Sequence, residues 1–78
     1  MPTVRRDGPY RFFFYSGDRH EPPHVHVERE ANHAKLWLEP VRVADSRGLS
    51  AAELRRIERI VIERIDEFLR AWHEHFTD

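Results

Sequence analysis

An apolar stripe runs through the last third of the sequence, and it constrains the fold more than any other feature. Its members recur at steps of three and four, the spacing of one face of an α-helix: Leu54, Ile57, Val61, Ile65, Phe68, Trp72 and Phe76. Immediately before the stripe, Ser50 and Glu53 have the spacing of a capping box, which predicts a helix over 51–76. Residues 1–50 must therefore supply the apolar surface that this helix covers.

Three segments of the first half predict β-strands, over 10–15, 24–30 and 34–39. A short edge strand over 41–43 is a further candidate. The sequence therefore predicts an α+β fold with β-β-β-α order. In that fold, one face of a three-stranded antiparallel β-meander is covered by a single long C-terminal α-helix, and 1–78 form one domain.

The second and third predicted strands read as a hairpin whose register is set by its turn. A turn at Ala31-Asn32 pairs Glu30 with His33 and Glu28 with Lys35, the latter as a cross-strand charge pair. One face of this hairpin then carries the apolar side chains Val25, Val27, Ala34, Leu36 and Leu38. The opposite face carries His24, His26, Glu28, Lys35, Trp37 and Glu39.

The first predicted strand, Tyr10 to Tyr15 (YRFFFY), is apolar on both faces. A half-exposed strand alternates apolar and polar residues, so this one is expected to be covered on both sides or to meet a partner. The predicted partner surface joins this strand to the histidine face, and consists of Phe12, Phe14, Tyr15, His24, His26 and Trp37.

Composition excludes several classes of protein. The chain has no cysteine, so disulfides and thiolate metal sites are excluded. No apolar run reaches the length of a signal peptide or a membrane span, so a cytoplasmic location without membrane contact is expected. The formal net charge of −1 does not favour RNA as a partner, although a local basic patch is compatible with it.

The segment His20-Glu21-Pro22-Pro23-His24-Val25-His26 suggests a metal site as one interpretation. Two histidines one residue apart on a strand can bind one divalent metal such as zinc. The candidate ligands are His20, His24, His26 and Glu39, with Glu28 and His33 as alternatives for the third position. The competing interpretation is that both histidines are ordinary strand residues that stack on Trp37 and the first-strand aromatics.

General acid–base chemistry on RNA is a third interpretation, with His24 and His26 as the candidate catalytic pair. Phosphate could then be held by a cation, and a base stacked on an aromatic ring. The candidates for these two roles are Arg11, Arg29 and Lys35 for phosphate, and Tyr15 and Trp37 for stacking.

The sequence resembles the bacterial domain-of-unknown-function family 4160 along nearly its whole length. The resemblance is carried by the opening Met1-Pro2-Thr3-Val4, the aromatic strand, the Asp18…Pro22-Pro23-His24-x-His26 block, and Trp72. The spacing Arg19-His20-Glu21 adds one residue to the common pattern, and the connection from Val41 to Ser50 also differs.

Genes of this family often lie beside a gene for another small domain, an arrangement interpreted as a toxin–antitoxin pair. The resemblance therefore implies a protein-interaction subunit of a two-gene, toxin–antitoxin-like system. Its expected partner is a second copy of the chain or a small protein encoded next to it. The alternative is an RNA-cleaving or metal-dependent hydrolase that uses His24 and His26.

Overall fold

Five antiparallel strands form one sheet, and two helices follow them in the chain. The computed structural model describes residues 3–76, without the side chains of Ser16 and Asp18, so Met1-Pro2 and the Asp18 side chain of the family resemblance lie outside the described residues. The elements are β1 Thr3–Asp7, β2 Tyr10–Phe13, a 3₁₀ helix Ser16–His20, β3 His24–Arg29, β4 Asn32–Leu38, β5 Val41–Arg47, α1 Ala51–Glu63 and α2 Ile65–His75. Each strand pairs with its neighbours in sequence, so the order across the sheet is β1-β2-β3-β4-β5. Neither helix is long and apolar enough to cross a membrane, within the residues described.

The predicted three-stranded meander is wrong, because the sheet has two further strands. β1 was not predicted, since its sequence TVRRD offers a single apolar residue. Its two core-facing charges form ion pairs instead: the Arg5 guanidinium lies 3.1 Å from the Glu67 carboxylate of α2, and the Asp7 carboxylate lies 4.0 Å from the Arg64 guanidinium. β5 was predicted over 41–43 and extends to Arg47.

The predicted single helix is also wrong, because it divides at Arg64. This residue has φ −122° and ψ 28°, and its N–H lies 3.2 Å from the carbonyl oxygens of both Ile60 and Val61. The apolar stripe continues across the break, with Ile57 and Val61 of α1 and Phe68 and Trp72 of α2 all buried. Nothing in the stripe signals the break, since no glycine or proline occurs there.

The predicted β3–β4 register is wrong by two residues. The turn consists of Glu30-Ala31, in which Glu30 adopts a φ of 54°, and it pairs Glu28 with His33 and His26 with Lys35. A shift of two residues leaves each side chain on its predicted face, because side chains alternate with a period of two. The predicted Glu28–Lys35 charge pair does not form.

The core lies between the sheet and the two helices. Phe12 packs against Phe68 of α2 at a ring-centroid distance of 5.2 Å. Phe14, which follows β2, packs edge-on against Trp72 at 5.3 Å. The remaining buried apolar side chains on the strands are Tyr10, Val25, Val27, Ala34, Leu36 and Leu38.

A polar link joins β3 to the first turn of α1. The predicted capping box is confirmed: the Glu53 N–H donates to the Ser50 hydroxyl at 3.1 Å, and the Ser50 N–H donates to the Glu53 carboxylate at 3.4 Å. The same carboxylate accepts a hydrogen bond from the Arg29 guanidinium. That bond, and then the Ser50 N–H, lower the pKa of Glu53.

Candidate binding site on the open face of the sheet

The helices cover one face of the sheet, and we call the other the open face. The strand register assigns to it Thr3, Arg6, Arg11, Phe13, His24, His26, Glu28, His33, Lys35, Trp37, Arg42, Asp45 and Arg47. Five of these side chains are basic and two are acidic, in a chain whose formal net charge is −1. The open face therefore carries a net positive charge, although the formal net charge of the whole chain is slightly negative.

Phe13 accounts for the apolar second face of the aromatic strand, and the chain itself covers it. Its side chain is 3% exposed. The His26 ring stacks on it at 5.6 Å, the Tyr15 ring meets it edge-on at 5.2 Å, and the Arg11 guanidinium lies 4.3 Å from its centroid. Tyr15 forms the outer layer of this stack, with 44% of its surface exposed.

His24 is the one polar side chain among the described residues that is fully buried. β2 ends at Phe13, opposite His26, so His24 has a paired strand residue on one side alone, Trp37. On the other side, where no β2 residue pairs with His24, the Trp72 ring of α2 lies 5.1 Å from the imidazole.

The hydrogen bonding of His24 shows which of its two ring nitrogens acts as a donor. Nδ1 lies 2.9 Å from the carbonyl oxygen of Pro22. A carbonyl oxygen can only accept, so Nδ1 carries a hydrogen. The prolines that restrict the chain before β3 thus also supply the acceptor for this imidazole.

The predicted metal ligands do not come together. His24 and His26 are in ring contact, with centroids 5.1 Å apart. His20 and Glu39 are exposed, on opposite sides of β3 in sequence, at the end of the 3₁₀ helix and in the β4–β5 turn. Among the side chains that the structure describes, which exclude that of Asp18, no group of three or more histidine and acidic side chains has the geometry to hold a metal ion.

The two alternative third ligands lie elsewhere on the face. Glu28 is engaged with Arg11, whose guanidinium lies 2.7 Å from its carboxylate. His33 is paired with Glu28 across the strands, at the far end of the hairpin from His24.

Trp37 and Lys35 form the second aromatic–basic contact of the open face. The Lys35 ammonium lies 4.6 Å from the centre of the Trp37 ring, a cation–π geometry, and it also binds the Glu21 carboxylate. Glu21 lies 3.9 Å from Nδ1 of His24, so it connects the lysine to the buried imidazole.

The predicted partner surface divides into two parts. Tyr15, His26 and Trp37 lie together on the open face with His24 beneath them. Phe12 and Phe14 lie in the core on the other side of the sheet, 0% and 1% exposed. Residues of β5 beyond Val43 were missed. The alternation of Val41, Arg42 and Val43 carries the signal that would have placed Arg42 on this face, whereas Asp45 reaches it only through an irregularity in the β4–β5 pairing.

Comparison with known proteins identifies a family. A search of curated proteins and a search of solved structures each found no match. The family model described as "Domain of unknown function (DUF4160)" matches residues 10–73. This span holds β2 to β5 and most of both helices, including the Pro22-Pro23-His24-x-His26 block. The chain belongs to the DUF4160 family.

Proposed function

We propose that this chain is a protein-interaction subunit whose open face binds a small protein with an acidic surface. Following the resemblance to gene pairs of the toxin–antitoxin type, the partner is the product of the adjacent gene. The observation that carries the proposal is the charge of the open face: its strands carry five cations against two carboxylates, and the Glu21 carboxylate bound to Lys35 adds a third.

Three of the cations support an intermolecular role. Arg6, Arg42 and Arg47 are exposed, and none of them forms an ion pair with another described residue. Opposite charge on a partner would raise the association rate and select against partners of like charge.

The aromatic side chains supply the apolar part of such a contact. Tyr15 is exposed above the Phe13–His26 stack, and Trp37 is half-buried beside Lys35. Tyrosine, tryptophan and arginine are the side chains most enriched at the energetic centres of protein interfaces. Both rings are held in place by neighbours, so little side-chain entropy would be lost on binding.

Co-purification with the product of the adjacent gene tests the proposal. We expect it to bind the wild type, to bind Tyr15→Ala/Lys35→Ala at least tenfold more weakly, and to bind more weakly as salt is raised. The matched control is Ile62→Ala/Arg59→Ala, which removes an exposed apolar group and a cation from the outer side of α1. The proposal fails if the adjacent product is not recovered, or if both double variants bind it equally.

The alternative function is RNA cleavage or metal-dependent hydrolysis at His24 and His26. Their ring contact favours it, but the full burial of His24 leaves that imidazole out of reach of a substrate. Growth arrest on expression separates the two functions. Arrest that is abolished by His26→Ala, with the fold intact by circular dichroism and binding of the adjacent product unchanged, would establish the enzyme.

A further inference from the structure

β5 is an edge strand that pairs with β4 on one side and with no described strand on the other, and five of its seven residues are exposed. An exposed edge is a template for another strand, and proteins commonly block it with proline, lysine, inward charges or a β-bulge. Between Val41 and Arg47 there is no proline, no lysine and no glycine. The charges of Arg42 and Asp45 are of opposite sign, so they determine which strand could pair with this edge.

A bulge places these two charges on the same face. β4 residues Lys35 and Leu36 are consecutive, but they pair with Asp45 and Val43, so Ala44 is an extra residue. In a regular strand, positions 42 and 45 point to opposite faces because they are an odd number apart. Here Arg42 pairs with Trp37 and Asp45 pairs with Lys35, and both belong to the open face.

The edge is therefore complementary to itself. We propose that two copies of this chain associate through β5, antiparallel, in the register in which paired residue numbers sum to 87. Arg42 of each copy then lies opposite Asp45 of the other, Val41 lies opposite Ser46, and Val43 lies opposite Ala44. The first two pairs join residues that share a face, and Val43 and Ala44 place the bulge of one copy against the bulge of the other.

Neighbouring registers lack this agreement. A sum of 88 pairs Arg42 with Ser46, which face opposite sides of the sheet. A sum of 89 pairs Arg42 with Arg47, and like charges directly opposite each other are destabilising. In the register of 87, Val43 of the two copies also meet near the twofold axis, which covers side chains that the single chain leaves half-buried.

The opposite edge of the sheet, formed by β1, is not complementary to itself in charge. The charges of β1 are Arg5 and Arg6 followed by Asp7, and Arg5 and Asp7 point to the helix side, where they pair with Glu67 and Arg64. Arg6 is then the single charge that β1 presents on the open face, so two copies of β1 would bring arginines together. The predicted assembly is a closed dimer with one ten-stranded sheet, since two copies of the five-stranded sheet join at β5.

Charge reversal gives a test that a general loss of folding cannot imitate. By analytical ultracentrifugation we expect the wild type to be a dimer. Arg42→Asp and Asp45→Arg each create two repulsive pairs per dimer, and should raise the dissociation constant about tenfold or more. A 1:1 mixture of these two variants should form a heterodimer, because every position 42 again meets an opposite charge at position 45. The double variant R42D/D45R should dimerise as the wild type does.

The control is Arg6→Asp, the same charge change on the β1 edge, which should leave the dimer intact. A monomeric wild type at about 100 µM would overturn the proposal, as would single variants that dimerise normally or a mixture that stays monomeric. The dimer does not rest on the proposed function. Loss of adjacent-product binding by Tyr15→Ala/Lys35→Ala and loss of dimerisation by Arg42→Asp are separate outcomes, which can fail independently.

Discussion

His24 is predicted to be a structural residue, and replacing it should destabilise the fold strongly. Its imidazole is fully buried among the rings of His26, Trp37 and Trp72. Its Nδ1–H donates to the Pro22 carbonyl. Removing the ring leaves a cavity and breaks this hydrogen bond, and these two losses can be separated by choice of substitution.

The magnitude follows from the two losses. Truncating a buried aromatic ring costs about 3–5 kcal/mol for phenylalanine, and the smaller imidazole should cost about 2–3 kcal/mol. The hydrogen bond adds about 1 kcal/mol, so His24→Ala should lose about 3–4 kcal/mol. His24→Phe keeps a ring but loses the donor, and should lose about 1–2 kcal/mol. A domain of 78 residues has a total stability of about 4–12 kcal/mol, so the alanine variant loses a large share of it.

Equilibrium urea unfolding followed by far-ultraviolet circular dichroism measures both variants against the wild type. His24→Ala should be the less stable of the two, and the dependence of the unfolding free energy on urea concentration should be unchanged in both. If His24→Ala costs less than about 1 kcal/mol, the burial of this ring contributes little to the fold. His24 would then be selected for something other than packing, and the enzymatic alternative would gain support.

Three further outcomes are expected. The pKa of Glu53 is lowered mainly by its bond from Arg29, so its contribution to stability is complete above its unfolded pKa and is lost as the pH falls through the folded pKa. The stability difference between the wild type and Glu53→Gln should therefore shrink below about pH 4.5, as measured by urea unfolding across a pH series. Gly48→Ala should lower the free energy of unfolding by about 1–2 kcal/mol, because Gly48 has a φ of +85° and the new methyl carbon would lie 2.1 Å from Oδ1 of Asn32. A fall in the thermal midpoint of less than about 2 °C would contradict this. Ile57→Ala should lower the free energy of unfolding by about 2–5 kcal/mol, because this side chain is 0% exposed. Ile62→Ala should lower it by less than about 0.5 kcal/mol, because this side chain is 57% exposed. Similar unfolding midpoints for the two variants would contradict the orientation of α1.

The sequence was sufficient to place the side chains of the β3–β4 hairpin on their faces, because that depends on a period of two. The valines at 25 and 27 lie in the core and the histidine at 26 lies on the open face, as expected from alternation. Register along the strand was not determined in this way, since a shift of two residues preserves the same faces. The turn that decides it uses Glu30 at positive φ, which is not a residue typical of that conformation.

The missed elements share a physical cause. β1 and the break at Arg64 are stabilised by contacts between residues distant in sequence, such as Arg5 with Glu67. Local patterns of apolar residues do not report such contacts. The same limit applies to the candidate site, where Trp72 of α2 completes the surroundings of His24 from across the end of β2.

The turns of the sheet limit where the chain tolerates a change in length. Residues 8–9, 30–31 and 39–40 form two-residue connections. One residue added to any of them must be absorbed by a different turn or a bulge, because a one-residue slip in the pairing would turn the following strand residues to the other face. Residues 14–23, which include the 3₁₀ helix, form the one longer connection between adjacent strands. Natural variation in length among related chains should therefore accumulate there, beside the open face, and change the approach to that face without disturbing the sheet.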